Sequence, residues 1–300
     1  MHENVKHYQS ESFIDGIYFG ESPRWHDNKL WFSDFYDKGI YALDENGNGE
    51  RLFEVENQPS GLGWLPDGRL LVISMVDKKI LVEDGESLKE YADLSEYHTF
   101  LSNDMVVSSN GIAYAGNFGF DLDEFLEKYG PTGIVTPPGP PLTNVVKVDT
   151  DRNVSVAANE MSFPNGSVIF PDNKSIVIGE STALRLTAFD INDDGSLSNR
   201  RVWADLSSYM CVPDGCCLDS EGRIWVANAL MGECLLIEEG GAVKGRVETG
   251  MTAFACMLGG EDRKSLFIMT APISTKKIAS AERKGKIEVA KVDVEGAGLP

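Results

Sequence analysis

The feature that most constrains this 300-residue chain is that it repeats itself. Six stretches share one plan: a start containing Gly or Pro, a strand-like run, a tight turn of Asp, Asn and Gly, and a run rich in Ile, Val, Leu, Trp and Tyr. They read GESPRWHDNKLWFSDF (20–35), QPSGLGWLPDGRLLVIS (58–74), LSNDMVVSSNGIAYAGNF (101–118), FPNGSVIFPDNKSIVIGES (163–181), VPDGCCLDSEGRIWVAN (212–228) and TAFACMLGGEDRKSLFIMTAP (252–272). The turns HDNK, LPDG, SSNG, FPDN, DSEG and GGED suit left-handed backbone between β-branched and aromatic runs. Their separation of roughly 40 to 60 residues is that of a four-stranded propeller blade. Helical periodicity is scarce. The pattern predicts an all-β chain folded as one six-bladed β-propeller domain over residues 1–300.

A ring of blades must join its ends or leave an open sheet edge. FIDGIYF (13–19) and KIEVAKVDV (286–294) both read as strands and are expected to pair in the last blade. The third copy is longer than the others by an insertion at about 120–143. There DLDEFLEKYG (121–130) has a helical pattern and TPPGPP follows, so the segment is either a lid over a site or a surface loop.

The formal net charge of −20 disfavours nucleic-acid or anionic-membrane partners, which require basic patches. MHENVKHYQSESF lacks a basic region followed by an apolar run, and no stretch approaches the 18 or so apolar residues of a membrane span. The five cysteines form no C-x-x-C pair and read as reduced thiols, with Cys216 and Cys217 as core filler. A cytoplasmic protein, monomeric or a small homo-oligomer, is expected. His2, His7, His26 and His98 stand in tail-like or loop-like contexts and read as solvated residues. Nucleophile-elbow, zincin and P-loop motifs are missing.

Aligning the copies at their starts lifts out Glu21, Asn103, Asn165 and Asp214. Each read alone is a turn residue, because N-G, N-D and D-G are common turn dipeptides. In a propeller, however, equivalent positions of the innermost strands converge at one end of the central channel. Two carboxylates and two amide carbonyls make a hard oxygen site. The expected cofactor is one divalent cation, Ca2+ ahead of Mg2+, Mn2+ or Zn2+.

These motifs, in this order over nearly the whole chain, resemble the senescence marker protein/gluconolactonase/regucalcin family. The resemblance implies a six-bladed propeller with a divalent cation in its channel and hydrolysis of sugar lactones. On that resemblance Glu21, Asn165 and Asp214 match the metal ligands, Asn103 matches a residue that binds metal-linked water or substrate, and Asp214 also matches the presumed general base. Sugar-lactonase relatives often carry Arg two residues before the Asn of this motif; here that residue is Leu101. Asn117-Phe118-Gly119-Phe120 is likewise more aromatic than a polyol site needs. Leu101, Asn103, Asn117 and Phe118 are therefore expected to bind the substrate, a small lactone or ester that is less polar than a sugar. Two alternatives use the same site: a phosphotriesterase-like hydrolase, and a non-catalytic calcium-binding regulatory propeller.

Overall fold

The computed structural model describes residues 5–300, the side chain of Pro131 excepted. Four antiparallel sheets of four strands each are built in chain order from 20–54, 59–93, 102–161 and 164–205. The remaining strands form one nine-stranded sheet. Lys6–Ile17 is the reason that five sheets stand where six were expected. Its residues 10–17 pair antiparallel with 285–290, as expected from the two terminal runs. Its residues 6–9 also pair in parallel with 245–248 of the preceding group of strands. One twelve-residue strand thus serves two neighbours, and the ring closes without an open edge there.

The turns follow from their chemistry. Between the paired His26 and Lys29, both Asp27 and Asn28 have positive φ (49° and 55°), the two-residue hairpin that fits the twist of its strands. The first strands of the six copies are Gly20–His26, Pro59–Trp64, Ser102–Val107, Pro164–Ile169, Pro213–Asp219 and Thr252–Gly259. Each packs against the next, and the sixth packs back on the first, so they enclose a central channel. Outside that ring, apolar side chains fill the wedges between sheets. Val168, Val177, Leu186 and Trp203, for example, meet Leu218, Val226 and Leu235. All five cysteines are free and buried in this filling.

Two connections rise above one end of the ring. The insertion of the third copy contains helix α1 (Leu122–Tyr129), whose Asp121 side chain caps it by accepting from the Glu124 N–H at 3.0 Å. The connection between Ser265–Ala271 and Gly285–Lys291 contains a one-turn helix, α2 (Lys276–Ala279), that the sequence pattern did not suggest.

One expectation for the histidines is overturned. His98 is 1% exposed, with Nδ1 2.7 Å from the Ser102 hydroxyl. It sits where the chain turns into the third inner strand, so its ring is packing rather than solvated surface. His26 is half-buried and stacks on Trp64, whereas His7 is exposed. His2 lies outside the described residues.

Candidate metal and substrate site

Every inner strand carries one extra residue relative to its partner strand, between Glu21 and Arg24, Pro59 and Leu62, Ser102 and Met105, Pro164 and Ser167, Pro213 and Cys216, and Ala253 and Ala255. Such a bulge re-aims a side chain out of the regular alternation of a strand. Ser60, Asn103, Asn165 and Asp214 are the first residues inside the bulge, whereas Glu21 and Ala253 are the last paired residues before it, opposite Ser33 and Thr270. Asp214-Gly215 and Asn165-Gly166 are therefore not turns, which departs from the reading of D-G and N-G in isolation. Both glycines have ordinary φ and are required by crowding instead. A Cβ on Gly166 would lie 2.4 Å from the Asp214 carbonyl oxygen, and one on Gly215 would lie 2.7 Å from the Ala255 Cα. The absent side chains let adjacent inner strands approach, and that approach gathers the polar groups.

Glu21, Asn103, Asn165 and Asp214 meet at the floor of a cavity of about 520 Å³. None is more than 8% exposed. Asn103 Nδ2 donates to Asn165 Oδ1 at 3.4 Å, and Ser60 Oγ donates to Asn103 Oδ1 at 3.4 Å. The Asn165 amide also donates to the Asp214 carboxylate, while Ser181 Oγ, 3.3 Å from Asn165 Nδ2, ties to the Pro213 carbonyl at 2.6 Å. Burial pushes the Glu21 carboxyl well above the usual range, and the charges of Asp214 and Asp104 push it further. Asp214 is raised in the same direction, first by burial and then by Asp104.

Beneath this floor runs a pair that sequence reasoning missed. Arg24 Nη2 contacts Asp104 Oδ1 at 2.9 Å, with both side chains buried. The guanidinium also donates to the carbonyls of Leu62, Pro23 and Met105 at 2.8–3.0 Å, and Ser22 Oγ donates to Asp104 Oδ1 at 3.2 Å. One ion pair thus fastens three consecutive inner strands under the site. Both residues lie inside the quoted motifs GESPRW and SND, but 80 positions apart, so no local spacing links them. Ser60 was missed because a lone Ser in P-S-G carries no signal of its own.

The walls are apolar: Phe19, Phe35, Met75, Phe118, Phe163 and Phe254 face the cavity, and Leu101 lies among them. Asn117, expected at the substrate, is not in the wall. It is fully buried in its sheet, where Nδ2 donates to the Asn144 carbonyl at 3.1 Å and Oδ1 accepts from Thr143 Oγ1 at 2.8 Å. Phe120 is also outside the wall and packs edge-on against Phe125 and Phe163. Strand alternation would put both on one face, but the strand ends at Asn117 and Gly119 between them has a positive φ of 77°, so the two rings leave that pattern.

Among the described residues, no three His, Cys, Asp or Glu side chains cluster as a metal site. The donor set here mixes two carboxylates with two amides. A hard divalent cation fits it, because two buried carboxyls lack a cationic partner of their own: Arg24 is already engaged by Asp104. Oxygen-only donors favour calcium or magnesium over zinc.

A family model described as the SMP-30/gluconolactonase/LRE-like region matches residues 19–272. Regucalcin of Danio rerio is 25% identical over 279 residues, covering 88% of this chain and 86% of the relative. Lactonase drp35 of Staphylococcus aureus strain USA300 is 27% identical over 233 residues, covering 73% of this chain and 66% of the relative. Among solved structures, a luciferin-regenerating enzyme superposes with a TM-score of 0.79 at 18% identity, covering 97% of this chain and 98% of that one. The last comparison establishes the fold alone. No helix of the described residues is long and apolar enough to cross a membrane.

Proposed function

This chain belongs to the SMP-30/gluconolactonase/LRE-like family, and from that premise we propose that it is a divalent-cation-dependent hydrolase that opens neutral lactones. The carrying observation is that Glu21, Asn103, Asn165 and Asp214 converge on the floor of one apolar cavity. We read the nine-stranded sheet as two four-stranded blades, one of which takes Lys6–Ile17 as its fourth strand and through it joins the other, with the two-residue strand Gly296–Ala297 at the edge, giving six blades in a single domain around the site. Glu21, Asn165 and Asp214 would hold the cation and Asn103 the substrate or its water. Calcium suits this oxygen-only set first.

A bound cation would polarise the ring carbonyl, acidify water and stabilise the developing oxyanion. The rest of the work falls to side chains. Asp214 accepts a proton from water as its oxygen attacks the carbonyl carbon, and the ring C–O bond then breaks. That proton returns to the departing alkoxide, so lactone plus water gives one hydroxy acid. The Asn165 amide, held by Ser181, keeps the Asp214 carboxylate oriented toward the floor. Phe118, Phe163 and Leu101 exclude bulk water and prefer an apolar or aromatic ring to a hydroxylated one. A relative named as a lactonase supports the reaction class.

The test is a panel of aliphatic, aromatic and sugar lactones beside phosphotriesters, each with calcium and with chelator. Lactone opening that chelator abolishes is expected, together with a calcium-dependent rise in melting temperature that Glu21→Gln removes. Stabilisation of about 2.7 kcal/mol accompanies cation at a hundred times its Kd. Turnover of phosphotriesters alone, or calcium binding without any turnover, would replace this reading.

A further inference from the structure

Helix α1 has eight residues, and none of them is buried. It is nevertheless amphipathic: Leu122, Phe125, Leu126 and Tyr129 lie on one side, with Glu124, Glu127 and Lys128 elsewhere. An exposed amphipathic helix needs something to cover its apolar face. Phe125 finds Phe120 and Tyr129. Leu122 and Leu126 find no core and instead line the cavity, as does Ile134 from the 3-10 turn that follows.

The opposite side of the mouth is formed by the connection carrying α2, whose Pro272, Ile273 and Ser274 also line the cavity. The two connections are joined. Both Asp123 carboxylate oxygens lie 3.2 Å from the Lys276 N–H, the first amide of α2, whose own N-cap Thr275 makes no side-chain cap. From the first sheet, Tyr36 Oη donates to the Ser274 carbonyl at 3.4 Å. The charge around the space is one-sided: Glu21 and Asp214 at the floor and Asp121 and Asp123 at the mouth face a single lysine, Lys276.

Building on the lactone reading above, we propose that α1 and the 272–276 connection, clasped by Asp123, form an apolar roof subsite for the substituent of a neutral, tail-bearing lactone. Leu122, Leu126 and Ile134 are the specificity-determining residues. A cavity of about 520 Å³ is far larger than a bare lactone ring needs and matches sites that enclose drug-sized ligands. The tail completes the packing that the helix lacks, and the acidic rim disfavours anionic substrates and helps expel the carboxylate product.

The experiment compares γ-butyrolactone with γ-decalactone, which adds a hexyl tail to the same ring. Wild type is expected to prefer the tailed lactone in kcat/KM by at least tenfold, since one buried methylene alone can discriminate about tenfold. Leu126→Ser and Asp123→Ala should each lower kcat/KM for γ-decalactone about tenfold, mainly through KM, and leave γ-butyrolactone within about twofold. Glu127→Ala, on the solvent side of α1, is the control and should change neither. Equal losses on both lactones, or no loss on either, would overturn the roof subsite. The second readout does not need turnover: the γ-lactam bearing the same hexyl tail should protect 121–135 from hydrogen exchange in wild type and not in Leu126→Ser. If no lactone is opened yet the lactam protects this segment, the roof stands and the lactonase reading falls. Opening of lactones with no protection and no tail preference sinks the roof alone.

Discussion

Gly166→Ala tests whether close approach of inner strands is what assembles the site. The added Cβ would lie 2.4 Å from the Asp214 carbonyl oxygen, 2.7 Å from the Cys216 nitrogen and 2.8 Å from the Gly215 Cα. All three neighbours are backbone, so no side chain can swing aside. Ordinary contact is near 3.5 Å, so the fourth and fifth inner strands must separate by about 1 Å. Overpacking of that kind costs roughly 1–3 kcal/mol of stability. The site should suffer more than the fold, because Asn165 and Asp214 flank the point of separation and a misplacement of about 1 Å can cost on the order of 10²-fold in rate. Gly85→Ala is the comparison: its φ is +73° with nothing within 4 Å, so it strains a distant turn and leaves the channel alone. Urea titration and calcium titration of both variants give the answer. Equal loss of stability with calcium affinity lowered at least tenfold only in Gly166→Ala is expected. Unchanged calcium affinity in Gly166→Ala would refute the claim that this contact sets the site.

Arg24→Met should destabilise by about 3–5 kcal/mol in urea titration, because it strands the buried Asp104 charge beneath two other carboxyls; Asp104→Asn in the same background should recover part of the loss. His98 gives a pH signature. Burial holds its pKa down at about 4 against an ordinary 6.5, so its contribution is fully present above pH 6.5 and is lost as pH falls toward 4. That loss amounts to roughly 3 kcal/mol, and His98→Gln should flatten the stability-versus-pH curve over this window. Wild type should favour aromatic lactones over gluconolactone in kcat/KM, since each unpaired hydroxyl in the cavity costs about 1–3 kcal/mol, and Leu101→Arg should narrow the gap.

The repeat was legible because each copy pairs a punctuating turn with two apolar runs, and both signals are local. Ring closure was legible in part. FIDGIYF and KIEVAKVDV read as strands, but nothing in Lys6-His7-Tyr8-Gln9 marks a second, parallel pairing to 245–248. The floor residues stood out only through alignment of the copies, since Asp214-Gly215 in isolation imitates a turn. Asn117 misled for the complementary reason. It adjoins Phe118 in sequence, yet in the strand Ala113–Asn117 its amide points into its own sheet and satisfies buried backbone. Hydrogen bonding within the sheet decided its place, and that accounting is invisible without the neighbouring strand.

What turns a repeating ring into a site is the departure from repetition at one shared bulge. At this bulge the six strands carry Glu21, Ser60, Asn103, Asn165, Asp214 and Ala253 in order around the channel, Glu21 and Ala253 just before the extra residue and the other four inside the bulge. Six carboxylates there would repel one another without enough cation to offset them, and six apolar residues would close a dry core. The sequence instead places the two acids with the Ala253 strand between them and sets the two amides side by side, 3.4 Å apart. The amides add oxygen dipoles without adding charge, so a single divalent cation would neutralise the set. Ser60 and Ala253, on the two strands that flank Glu21, contribute neither charge nor bulk. The same division recurs above the floor, where Phe and Leu walls carry no competing donors. On the proposed reading one layer would hold the cation and the next an apolar substrate, so variation in the second layer would change specificity without disturbing the first.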